Sequence, residues 1–377
     1  MLGSKILALT AALAAAPVSD DPFMPNMPPG SGDLIVRPLL TGTVTAAFFR
    51  SDFATLEAMA KSYRESEART PSGTWKLDLF YVALDVEPDA AHPGDDYRLK
   101  QAEKKDRAWI AAYPQSPTPY IVYAEQLLSH AWSIRGGGYA DKVSPDAWPK
   151  FRAYLQQARD VLEKHKSVAG KDPQWYSSML DVALGEGWDK AQFEPLLKEG
   201  LDRFPYYYPI YFGGATHYLP AWGGNADDLE SFVDDAVART APKEGTMIYG
   251  RLYANVANSF QNIFVETRVQ WPKMLNAFLE LSRRYPDARN DSRSAYFACA
   301  AGDKIWTARM FQTLQNPPQF DIWRTQENLD LCRTWATDSK TRSGTSPLPG
   351  YRSLQPMPGR DAPAPHKDKA KTNDRAI

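Results

Sequence analysis

The chain has little of what usually announces chemistry. Its 44 Lys and Arg residues face 45 Asp and Glu, a formal net charge of −1. There is no basic footprint, which argues against a nucleic-acid partner. The five histidines, at positions 92, 130, 165, 217 and 366, do not fall in metal-ligand spacing. No G-x-S-x-G elbow, P-loop or H-E-x-x-H helix is present. The sequence therefore names no catalytic residue, no metal site and no cofactor. His130 and His217 sit near the ends of apolar helices and read as partly buried core residues.

Cysteine is scarce too. Cys299 and Cys332 are the only two, and neither has a histidine nearby in sequence to suggest an activated nucleophile. In an oxidising compartment such a pair can form one disulfide and clip two late helices together. The alternative is two buried free thiols acting as small hydrophobes. Long apolar runs are also missing: beyond the first residues, no stretch suffices for a membrane span.

Those first residues read as an export signal over 1–16. Lys5 is the sole charge in the first 19 residues, and an apolar run from Ile6 to Ala16 follows it. That run is too short for a bilayer and suits a secretory h-region. The small residues Ala14–Ala16 offer a cleavage site, with Pro17 awkwardly just beyond. The expected location is periplasmic or secreted. Residues 17–45, rich in Pro, Gly and Ser, read as an extended leader. Residues 46–340 read as the folded domain. From 341 to 377 large apolar residues nearly vanish, and such a tail cannot offset its ordering entropy.

What is abundant is helical phrasing. Apolar residues make up 43% of the chain, enough for a sizeable core, and many of the 30 prolines follow apolar runs as helix stops. One phrase recurs three times, from Asp189 to Pro205, from Asp227 to Pro242 and from Asp303 to Pro317–Pro318. The starts lie 38 and 76 residues apart, one period and two. Such a period marks stacked helical hairpins. The expected fold is all-α: a solenoid of hairpins, tetratricopeptide-like. The pairs are 174–185 with 189–203, 207–218 with 226–240, 246–264 with 271–285 and 291–300 with 303–315. A last helix covers 324–337. The run Trp75–Val86 fits either a strand or a helix by periodicity, and its surroundings favour helix.

Several phrases carry a family likeness: SGTWKLDLFY at 72–81, AWSIRGGGYADKV at 131–143, YLPAWGG at 218–224, YGRLYA at 249–254 and ACAAGD at 298–303. Together they resemble a bacterial domain-of-unknown-function family, number 4034, over residues 45–337. The resemblance implies helical repeats related to tetratricopeptide arrays and, for many members, export. It carries no established activity to transfer.

Four stretches are candidates for binding. On a helix expected at 249–264, Tyr249, Tyr253, Val256, Phe260 and Ile263 form the apolar side. Arg251, Asn255, Asn258 and Asn262 form the opposite one. Each asparagine costs a helix roughly half a kcal/mol relative to alanine, so this face should hydrogen-bond a neighbouring helix, a water network or a ligand. Arg135 to Tyr139 (RGGGY) either makes an anion-binding nest or simply ends a helix with slack. Trp222 either wedges between repeats or offers a stacking platform. The acidic residues Asp85, Glu87, Asp89, Asp95 and Asp96 can gather a divalent cation, or be a solvated loop.

The function expected from these features is an exported, non-enzymatic module binding a protein or peptide on the surface that stacked hairpins present. The alternative is a glycan-active enzyme with paired carboxylates in an aromatic-lined cleft. A third reading is a self-associating architectural unit.

Overall fold

A computed structural model describes residues 21–24, 27–28, 30–85, 95–136, 138, 140–314 and 319–351. The export signal expected over 1–16, Glu87, Asp89, His92, Tyr139, His366 and residues 352–377 lie outside them. Among the described residues there are α-helices and short 3-10 turns but no strand. The first helices are α1 (Asp33–Phe49), α2 (Phe53–Glu65), α3 (Lys76–Val82), α4 (Tyr97–Ala112), α5 (Thr118–Arg135) and α6 (Ala147–Lys164). A short α7 (Lys166–Ala169) leads to α8 (Gln174–Glu186), α9 (Lys190–Arg203), α10 (Tyr208–His217) and α11 (Ala226–Glu244). Then come α12 (Met247–Val256), the single-turn α13 (Ile263–Glu266), α14 (Trp271–Arg284) and α15 (Ala288–Ala300). The last are α16 (Lys304–Thr313), α17 (Phe320–Trp323) and α18 (Gln326–Thr337).

This is an all-α helical-repeat fold. The expected hairpins form: α8 packs on α9, α10 on α11, α12 on α14 and α15 on α16. Burial separates two layers. In α8, ten of thirteen residues are buried, so the helix is covered all round. In α14 only Met274, Ala277, Phe278 and Leu281 are buried, one stripe at helical spacing. Helices of the first kind (α5, α8, α10, α12) pack on one another in chain order and form an inner layer. Their amphipathic partners cover them. The layers touch closely: a Cβ on Gly250 of α12 would lie 2.9 Å from the Phe278 ring of α14.

One of the three repeat phrases departs from expectation. Asp189 and Asp303 do cap their helices, the first through a reciprocal capping box with Gln192. The second phrase is capped by Asn225, whose side chain accepts from Asp227 N and Asp228 N at 2.9 Å. Its helix runs through Pro242 to Glu244. Cys299 and Cys332 form a disulfide joining α15 to α18. A bridge closing a loop of 33 residues is worth roughly 3–4 kcal/mol in the chain-entropy picture.

Two boundaries move. The leader expected over 17–45 is helical from Asp33, because Val36, Leu40, Val44 and Ala47 form a buried stripe that outweighs Pro38 inside the helix. Asp21, earlier still, accepts from the Lys76 ammonium at 2.8 Å and the Tyr63 hydroxyl at 2.9 Å. At the other end the tail does not begin at 341. Gly344 N donates to Gly302 O at 2.8 Å, and Leu348 and Tyr351 are buried. Two apolar side chains suffice to hold this short stretch against the core.

The first helices dock on residues at or near the ends of much later ones. Arg64 reaches Asp172, 108 residues on, at 2.6 Å, and the Tyr81 hydroxyl donates to the same carboxylate. Arg69 lies 3.5 Å over the Trp75 ring, 4.9 Å from that of Tyr208, and pairs with buried Glu244 at 3.1 Å. Ser72 O accepts from Arg251 and Asn290, and Asp33 N donates to Asp287, 254 residues away. Gly73 turns here at φ +80°, and a Cβ on it would sit 2.5 Å from the Arg251 guanidinium. α1 also packs on α15. Removing one partner of a buried pair leaves an uncompensated charge, so Arg69→Ala should cost roughly 3–5 kcal/mol. Urea unfolding measures this. A loss below about 1 kcal/mol would show that the docking adds little to stability.

Candidate functional site

The docking brings five helices around one pocket of about 190 Å³. Helical spacing sets which side chains enter it. Arg289 and Arg293 are one turn apart on α15, as are Arg251 and Asn255 on α12 and Tyr208 and Phe212 on α10. Arg37 comes from α1. Asp78 on α3, with Thr74 and Trp75 just before that helix, completes the lining.

Four guanidinium groups thus share one small space. Two have carboxylate neighbours: Arg289 pairs with Asp321, and Arg37 lies 3.9 Å from Asp33. Arg251 donates to Ser72 O at 3.0 Å and faces the Tyr208 ring, yet its Nε is buried without a hydrogen-bond partner. Arg293 makes neither a hydrogen bond nor an ion pair among the described residues. Burial, then repulsion from Arg251 and Arg289, pushes its pKa down to about 9, so it stays charged at neutral pH. Burial raises Asp78 to about 6, against the pull of Arg37. Unpaired buried charge is costly. Its accumulation at one concave spot is what a binding site for an anion requires.

A second polar region lines α5 and α8. Gln174, Ser178 and Asp181 share one face of α8 by spacing. Gln174 donates to Glu125 Oε1 at 3.0 Å, and the Ser178 hydroxyl donates to the same oxygen. Burial and the nearby Asp181 raise Glu125 to about 8; burial raises Asp181 to about 7. Neither carboxylate has a cationic partner among the described residues. The Tyr207 hydroxyl donates to Gln174 Oε1 at 2.6 Å and feels both Asp78 and Glu125. It therefore stands between the two regions.

The sequence-derived candidates fare unequally. Arg251 and Asn255 line the pocket together. Asn258 and Asn262 do not, because the expected helix over 249–264 stops at Val256. A 3-10 turn and extended Phe260 follow, and Asn262 caps α13 by accepting from Phe264 N. Asparagine and serine favour caps and turns, and here they ended the helix. Arg135 and Trp222 do meet: the guanidinium lies 5.5, 5.7 and 5.8 Å from the rings of Trp132, Trp148 and Trp222. At the two described glycines, Gly136 and Gly138, the contact with Arg135 is not that of an anion nest. Arg135 instead donates to the carbonyls of Gly136 and Gly138 at 3.0 Å, so acceptors rather than N–H groups face it. Gly136, at φ 72°, ends α5.

The acidic loop is spoken for where it is described. Asp85 accepts from Ser129, Asp95 from Tyr97 N, and Asp96 bonds His130 at 3.0 Å. No group of three or more His, Cys, Asp or Glu able to hold a metal occurs among the described residues. Sequence reasoning missed Arg37, Asp78, Arg289 and Arg293, as well as Glu125 and Asp181. Arg289 and Arg293 carried a signal, since like charges one turn apart oppose helix formation. So did Glu125 and Asp181, lone acids in apolar helices. Comparison with protein-family models, curated proteins and solved structures returns no match.

The raised carboxyls make a stability prediction. Unfolded, Glu125 and Asp181 titrate near about 4. Folded, they hold their protons up to about 8 and about 7. Between those limits the folded state binds more protons, so stability falls as pH rises from 5 to 8. Glu125→Gln, which keeps shape and hydrogen bonding, should flatten that fall, read as urea midpoints at pH 5, 6, 7 and 8. Wild type and variant running parallel would refute the assignment.

Proposed function

We propose that this protein is an exported, non-enzymatic helical-repeat binding module, and that its pocket takes the anionic group of a ligand. The observation that carries this reading is the pair Arg251 and Arg293, charged groups without carboxylate partners turned into one cavity with two further arginines. Guanidinium donors in this arrangement suit a carboxylate or phosphate. A free peptide carboxylate is one such group, in keeping with a peptide or protein partner. Two features support export: the charged-then-apolar start over residues 1–16 and the disulfide of Cys299 with Cys332. No helix among the described residues is long and apolar enough to cross a membrane.

The glycan-active alternative asks for two carboxylates beside open aromatic walls. The pocket offers Asp78 alone among guanidiniums, and Arg69 covers the face of Trp75.

The test pairs binding with stability. Arg293→Met removes charge while keeping volume, and should weaken binding of a carboxylate probe such as succinate roughly 10- to 100-fold by calorimetry. The same variant should melt no lower than wild type, since it relieves repulsion. Binding of an anion that stays ionised throughout, such as methanesulfonate, should also strengthen as pH falls from 7 to 5, because protonation of Asp78 removes an opposing charge; Asp78→Asn should abolish that dependence. Unchanged affinity in Arg293→Met would contradict the reading.

A further inference from the structure

A second cavity, of about 680 Å³, opens between α1, the end of α3 and α4. It shares no lining residue with the arginine pocket. Helical spacing builds its two long walls. Thr41, Thr45 and Phe48 follow one another at steps of four and three on α1; Arg98, Gln101 and Lys105 do so at three and four on α4. α1 packs on α2 and α3, while α4 packs on α5. The space between α1 and α4 is the cavity.

Its walls are mostly apolar. Phe49, Val82 and Tyr97 line it and are exposed, whereas Phe48 and Leu84 line it from the buried side. The threonine hydroxyls are already bonded: Thr41 donates to Arg37 O at 3.0 Å and Thr45 to Ala83 O at 2.9 Å. Exposed apolar side chains gathered at one concave spot mark a groove for an apolar ligand. The volume falls within the roughly 300–1,000 Å³ of small-molecule sites, which pair apolar and aromatic walls with few polar groups. Charge then names the head of that ligand. The Lys105 ammonium donates to Phe49 O at 2.8 Å and Ser51 Oγ at 3.2 Å. One of its three N–H groups is left over, and it has no carboxylate partner among the described residues. We propose that this groove binds a free fatty acid, its tail between α1 and α4 and its carboxylate on Lys105. One ammonium and one apolar cavity answer to one carboxylate and one tail.

Calorimetry with octanoate, dodecanoate, hexadecanoate and dodecanol tests it. Affinity should rise from octanoate to dodecanoate, roughly fourfold per methylene buried. Val82→Asp, at an exposed position, should weaken dodecanoate roughly tenfold or more with an unchanged thermal melt. Lys105→Met should weaken dodecanoate roughly five- to tenfold and leave dodecanol unchanged. Arg293→Met should leave dodecanoate binding intact. No binding by any chain, or binding indifferent to Val82→Asp or to Lys105→Met, would overturn the site. Equal weakening of acid and alcohol by Lys105→Met would overturn the carboxylate assignment. Dodecanoate binding lost in Arg293→Met would place the head among the arginines and overturn the proposal too. So would co-sedimentation with phosphatidylcholine vesicles that Val82→Asp abolishes, in the absence of any binding to free fatty acid; that result would make the groove a membrane contact.

Discussion

Two buried ion pairs hold the architecture in the form that matters. Arg64 with Asp172 and Arg69 with Glu244 fasten the chain's first helices to residues that precede or end far later ones. Buried pairs add little net stability over an apolar substitute, but breaking one is expensive. Their role is therefore one of registration. They fix where α1 and α3 lie against α10, α12 and α15, and so where Arg37 and Asp78 meet Arg251, Arg289 and Arg293. Stacked hairpins alone would leave these groups on separate repeats.

That registration has an electrostatic consequence. A helical-repeat protein can bury apolar stripes without placing charge in its interior. This one gathers arginines from α1, α12 and α15 at one place and acids of α5 and α8 at another, with Tyr207 between them. The burial shifts run in opposite directions, down for Arg293 and up for Glu125 and Asp181. In each case the environment works against the charged state. Groups perturbed in this way concentrate at functional sites, though structural ion networks perturb them too.

The fold was legible in the sequence because its evidence is local. Caps such as Asp189 and Asp303 and apolar stripes at helical period are written within single helices. The hairpin pairs follow from them. The boundaries were less so: the Pro- and Gly-rich start hid the buried stripe of α1, and the polar end hid Leu348 and Tyr351. The site was half legible. Arg251 and Asn255 could be marked on their own helix, but their partners arrive from residues 37, 78, 289 and 293. No periodicity in one segment reports such convergence. The asparagines at 258 and 262 misled because a residue that bonds a ligand well also bonds its own backbone well.

The most direct check is crystallographic. A crystal grown with bromoacetate or selenate reports the anion by its anomalous signal. The account predicts a peak within hydrogen-bonding distance of both the Arg293 and Arg251 guanidiniums, where two unpaired charges meet. A pocket holding only water, with the anion elsewhere on the surface, would contradict it.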